Sequence, residues 1–177
     1  MTAAELAVEL CSVVPQLGAV AAPRNPSTAA FAVAQTVSLV RDLQPDLVIP
    51  LCQDDGGNFG REVGMGAPAT EPLLLRRNEN GCLRILPGVL EICRRAERVV
   101  LVGEVLQDGR EAAEFITLLG LGERAVGVVT LWDKRQLEWP TIAGVPVHAL
   151  FRGQSPEIRS ALTKTQALRA WASLKIA

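Results

Sequence analysis

Residues 98–103, RVVLVG, are the stretch that decides the fold. Four branched apolar residues in a row, opened by Arg98 and closed by Gly103, predict a strand buried on both faces. A helical pattern follows from about 110 to 121, with Ala112, Phe115, Ile116 and Leu119 at the spacing of one buried stripe. Residues 125–132, AVGVVTLW, predict a second buried strand. Strand, helix and strand in that order form a βαβ unit, so the sheet is parallel and the crossover right-handed.

The same signals recur on either side. Residues 46–52, DLVIPLC, predict another doubly buried strand. A helix is expected before it, capped by Ser27 and ended near Leu43 by Pro45, with Phe31, Ala34, Val37 and Val40 as its apolar stripe. After it come a loop at 53–58, a short helix at 59–66 and a strand at 72–77. Asn78-Glu79-Asn80-Gly81 then predicts a hairpin turn, with a return strand at 82–86. Residues 88–96 read as a helical turn or two, 145–151 as a further strand and 156–174 as a helix. The expected fold class is α/β: an open, mainly parallel twisted sheet with helices on both faces and a small hairpin. Residues 1–26 are read as an N-terminal helix and linker, and 27–177 as a single α/β domain.

With 177 residues, 49% of them apolar, the chain can bury a sizeable core. The net charge of -1 and the mixed signs argue against a nucleic-acid binder, which carries a basic stripe. No apolar run is long enough to span a membrane. Cys11, Cys52, Cys82 and Cys93 form no CxxC pair and no zinc pattern; they read as buried free thiols, and a cytoplasmic location is expected. One histidine, His148, excludes a multi-His metal site and reads as an ordinary strand residue.

Ligands of open α/β sheets bind beyond the carboxyl ends of the strands, where the strand order reverses. Two glycine-bearing loops leave strong strands here. One carries Asp54, Asp55, Gly56 and Gly57; the other carries Gly103, Glu104, Asp108, Gly109, Arg110 and Glu111. Glycine lets backbone approach a ligand, and the following helix N-terminus offers free N–H groups to an anion. Neither loop matches GxGxxG or the P-loop pattern. Plain strand–helix turns remain an alternative, with Asp108 and Glu111 as acids favoured at a helix N-terminus.

RVVLVGEVLQDGRE, residues 98–111, resembles the ribose-phosphate loop of type I phosphoribosyltransferases, and in particular those acting on orotate. Residues 45–64 are similar to that family's strand and double-glycine loop. Residues 73–81 resemble the strand into its mobile catalytic loop, 126–135 the strand near the base, and 144–151 the closing strand. The resemblance implies a homodimer or other protein partner and a ribose-phosphate or nucleotide ligand. It also implies Mg²⁺ if the protein is active, and otherwise no cofactor. It casts Arg76 and Arg77 as neutralisers of pyrophosphate charge, Glu104 as the acid at the ribose or metal, and Lys134 or Arg135 as contacts to the base.

The departures from that family shape the functional expectation. Gly103 replaces the first acid of the pair, and Asp108 and Glu111 stand where small hydroxyl residues cradle phosphate. A carboxylate about 4 Å from a phosphate charge costs on the order of 4 kcal/mol at an effective dielectric near 20. That is roughly three decades of affinity. Three functions are therefore carried forward. The first is a phosphoribosyltransferase-fold protein that has lost transfer activity and works in binding, regulation or assembly. The second is an active orotate-type enzyme. The third is a crevice in which Asp54, Asp55, Glu104 and Asp108 hold a divalent metal or a cationic group.

Overall fold

The computed structural model describes residues 26–51, 58–67, 73, 75–77, 83–135 and 140–152. The elements are α1 (Pro26–Asp42), β1 (Leu47–Pro50), α2 (Asn58–Gly66), β2 (Arg76–Arg77), β3 (Leu83–Arg84) and α3 (Pro87–Arg95). Then come β4 (Val99–Leu106), α4 (Arg110–Leu118), a 3-10 turn (Gly122–Arg124), β5 (Ala125–Asp133), β6 (Thr141–Ile142) and β7 (Val145–Arg152). The expected N-terminal and C-terminal helices, the Asn-Gly turn, Cys11, Cys52 and Cys82 lie outside the described residues.

Five strands form one sheet in the order β1-β4-β5-β7-β6, and β2 pairs with β3 as a separate antiparallel ribbon. The pairs β1–β4, β4–β5 and β5–β7 are parallel; β6 alone runs antiparallel, against β7. The fold is thus the expected open α/β sheet with helices on both faces. Strand side chains alternate between two apolar layers. Val48, Val100, Val102, Val129 and Leu131 pack with α1 and α2 through Val37, Val40, Phe59 and Val63. Leu47, Ile49, Leu101 and Val128 pack on the other side with Cys93, Ala112, Phe115 and Ile116. The chain also passes the outer edge of β1, where the Leu73 N–H donates to the Val48 carbonyl at 3.0 Å. Chain beyond β1 on one side and β4 on the other make the β1/β4 junction the place where the winding reverses.

Several expectations are corrected. Strand β4 does not stop at Gly103. Its pairing with β5 continues through Val105↔Trp132 and Leu106↔Asp133, so Gly103 and Glu104 are strand residues and only residues 107–109 form the turn. Helix α1 includes Pro26, so Ser27 lies inside its first turn rather than at the cap; proline suits the first helical position because it has no N–H to satisfy there. On α1, Ala34 faces solvent, while Ala32 and Thr36 are fully buried; the Thr36 hydroxyl donates to the Ala32 carbonyl at 2.9 Å. Among the described residues the hairpin strands are shorter than expected, and residues 87–95 form a full α-helix.

Helix α4 ends at Leu118 because Gly120 adopts φ 59°. Gly120 N–H donates to Thr117 and Leu121 N–H to Ile116, the paired closure of a glycine-terminated helix, and Leu121 then plugs the core. Trp132 is buried, as expected of a packing residue. Cys93 is a buried free thiol whose pKa burial pushes up. His148 is half-buried on β7, its pKa lowered by burial and by the Arg152 charge. Among the described residues, no helix is long and apolar enough to cross a membrane.

Candidate functional site

The carboxyl ends of β4 and β5 lie side by side, and most of the described candidate residues cluster there. Gly103 and Glu104 are on β4, Asp108 and Gly109 in the turn, Arg110 and Glu111 in the first turn of α4, and Lys134 just past β5. Asp54, Asp55, Gly56 and Gly57 lie outside the described residues. Arg76 and Arg77 are described by backbone alone, in β2. Helix α2 closes on the same sheet edge. A Cβ on Gly60 would stand 2.8 Å from Pro50 Cβ and 3.1 Å from the Val102 carbonyl, so backbone meets backbone there.

Glu104 is the perturbed acid of the cluster. Its Oε1 is buried and has no hydrogen-bond partner among the described residues. Desolvation of the carboxyl raises its pKa from 4.5 to about 7, because burial strips hydration from the ionised form. The buried Thr130 hydroxyl donates to the Glu104 carbonyl at 3.1 Å, tying this residue's backbone to β5. Gly103 points the other way: a Cβ there would make ordinary 3.5 Å contacts with Leu51 in the opposite apolar layer.

The turn itself is closed by its own charges. Asp108 Oδ1 accepts the Arg110 N–H at 3.0 Å, and Oδ2 lies 3.2 Å from Arg110 Nε. Gly109 caps α4 with φ 80°, a conformation that favours glycine. At the end of β5, Lys134 places its ammonium 4.8 Å from the centre of the Trp132 ring. Arg135 is instead consumed internally. Its Nε and one terminal nitrogen each lie 3.0 Å from an Asp133 oxygen, and its other terminal nitrogen donates to the Thr141 carbonyl at 3.0 Å.

Sequence reasoning overlooked Asp133, Thr130 and the engagement of Arg135. An acid ending a buried strand two residues before an arginine was the available signal. Among the described residues no three His, Cys, Asp or Glu side chains form a metal-ligand group. Glu104, whose burial disfavours ionisation, and Asp108, paired with Arg110, are poor resident ligands for Mg²⁺, which favours ionised oxygens.

No known family profile matches the chain, and no curated protein matches it in sequence. Solved structures do. A Helicobacter pylori xanthine-guanine-hypoxanthine phosphoribosyltransferase is similar with a TM-score of 0.52 and 12% identity, covering 80% of this chain and 96% of that one. A Neisseria gonorrhoeae hypothetical protein with bound ppGpp is similar with a TM-score of 0.49 and 19% identity, covering 81% of this chain and 94% of that one. The first likeness, joined to the strand order, shows that the chain has a type I phosphoribosyltransferase-like fold.

Proposed function

We propose that this is a phosphoribosyltransferase-fold protein that does not transfer phosphoribose and instead works as a binding, regulatory or assembly protein. The observation that carries the reading is the contact of Asp108 with the Arg110 N–H. The amides at the start of α4 are the groups an anionic ligand meets in this turn. Here one of them already serves a carboxylate of the chain, and that carboxylate also draws off the Arg110 charge. An incoming phosphate faces repulsion from Asp108 and gains less from the amide. Gly103 supplies no second acid, and burial of Glu104, which raises its pKa to about 7, disfavours the ionised form.

Calorimetric titration with phosphoribosyl pyrophosphate and Mg²⁺, run beside a turnover assay with a panel of nucleobases, tests the reading. No turnover and no micromolar binding are expected; transfer of phosphoribose to any base overturns it.

One observation favours a second reading, that of an active enzyme: the Glu104 Oε1 has no partner among the described residues, and a ribose hydroxyl is the kind of donor that would satisfy it. In that reading Arg76 or Arg77 neutralises pyrophosphate, Lys134 meets the base, and Mg²⁺ is held by Glu104 together with oxygens of the ligand. Turnover that is lost in Arg77→Glu supports it, whereas turnover unchanged by that charge reversal removes Arg77 from the machinery.

A further inference from the structure

A buried polar cluster stands beside the 107–109 turn rather than within it. The Asp133 carboxylate takes the Arg135 fork on both oxygens at 3.0 Å, and its Oδ1 also accepts the Arg135 main-chain N–H at 3.1 Å. The side chains of Arg135 and Asp133 are only 8% and 7% exposed. Burying two charges is expensive, and well-packed apolar residues often stabilise a fold as well or better. What the pair offers beyond an apolar contact is fixed direction, because a bidentate fork holds its partner in one orientation.

That direction is spent on the turn. Ile142 fills the space where a Gly109 side chain would be, 2.9 Å from the position of such a Cβ, and the Arg135 stem lines the same space, its Cδ 3.4 Å from that position. The remaining arm of Arg135 reaches the Thr141 carbonyl in β6, and the Lys134 N–H donates to the Leu106 carbonyl at 2.9 Å. Gly109 in turn accepts the Ala113 N–H at 3.0 Å, so its placement sets the first turn of α4.

We propose that Asp133 and Arg135 are positioning residues for the β4–α4 turn, holding Gly109 and through it the N-terminus of α4. The functional side of this role rests on the reading above, which assigns that turn to the ligand. The role itself is a property of the unliganded chain, and neither residue is required to touch a ligand.

Hydrogen exchange of the full chain without ligand tests it, comparing wild type with Asp133→Asn and Arg135→Lys. Asparagine keeps the shape and loses the charge; lysine keeps the charge and loses the fork. Both variants are expected to raise exchange of the 109–113 amides by roughly tenfold more than they raise exchange of the β1 and β4 amides, which reports any loss of global stability. Unchanged exchange at 109–113, or an equal rise throughout the sheet, overturns the proposal. Arg135→Lys alone suffices should Asp133→Asn fail to fold. Because no ligand is present, failure here leaves the functional reading standing. Turnover in the earlier assay likewise leaves the positioning role standing.

Discussion

Asp108 and Arg110 hold each other across Gly109: one Asp108 oxygen takes the Arg110 N–H at 3.0 Å and the other lies 3.2 Å from its Nε. Both side chains are largely exposed, so the ion pair adds little stability by itself. Its consequence is local, because the chain places a negative charge where an anion would approach α4.

Asp108→Ser should therefore open the turn to anions. A serine can still accept the Arg110 N–H, so the folding cost stays below about 1 kcal/mol. Inorganic pyrophosphate, titrated calorimetrically at low salt, is expected to bind at least roughly tenfold tighter than to wild type, since one close like charge is gone. Equal affinities would show that Asp108 is not what keeps anions out.

Glu104 makes stability depend on pH in an unusual direction for an acid. Its folded-state pKa, about 7, lies above the ordinary 4.5, so folding favours the protonated form. Stability is then fully present below about 4.5, falls as pH rises toward 7, and levels off above it. Allowing for partial solvent screening, the loss is roughly 1–2 kcal/mol. Urea denaturation from pH 4.5 to 8 should show this decline in wild type and a flatter profile in Glu104→Gln.

Gly60 and Gly103 should respond oppositely to alanine. At Gly60 the new methyl meets Pro50 and Val102 backbone within 3.1 Å, and overpacking is expected to cost about 1–2 kcal/mol despite better helix propensity. At Gly103 it meets Leu51 at 3.5 Å, and a strand gains from losing a glycine, so stability should hold or rise by about 0.5 kcal/mol. Thermal denaturation of the two variants, read against wild type, checks the contrast.

Asp133→Ala should be the most damaging change at this sheet edge. It leaves the buried Arg135 guanidinium without its counter-charge, at a cost of about 3 kcal/mol. Exposed Asp108→Ala, the control, should cost less than about 1 kcal/mol by the same denaturant measurement.

The amino-acid sequence by itself determined the layers. Runs such as 99–103 and 125–129 have no polar side chain with which to face water, so they had to be strands covered on both sides, and the Ala112–Phe115–Ile116–Leu119 stripe had to face them. The likeness of residues 98–111 to a ribose-phosphate loop located the turn that the tertiary structure places at the β4 end. Tertiary structure alone decided how far β4 runs, because Val105 and Leu106 join it only through their pairing with β5. It also decided which charges are spent. Asp108, Asp133, Glu104 and Arg135 look alike as charged letters near strand ends. Yet Asp108 closes on its neighbour, Asp133 is buried against Arg135, and Glu104 has an oxygen with no partner among the described residues. Apolar periodicity records which side chains leave water. The partner a charge meets depends on elements far apart in the chain, and no local pattern carries that information.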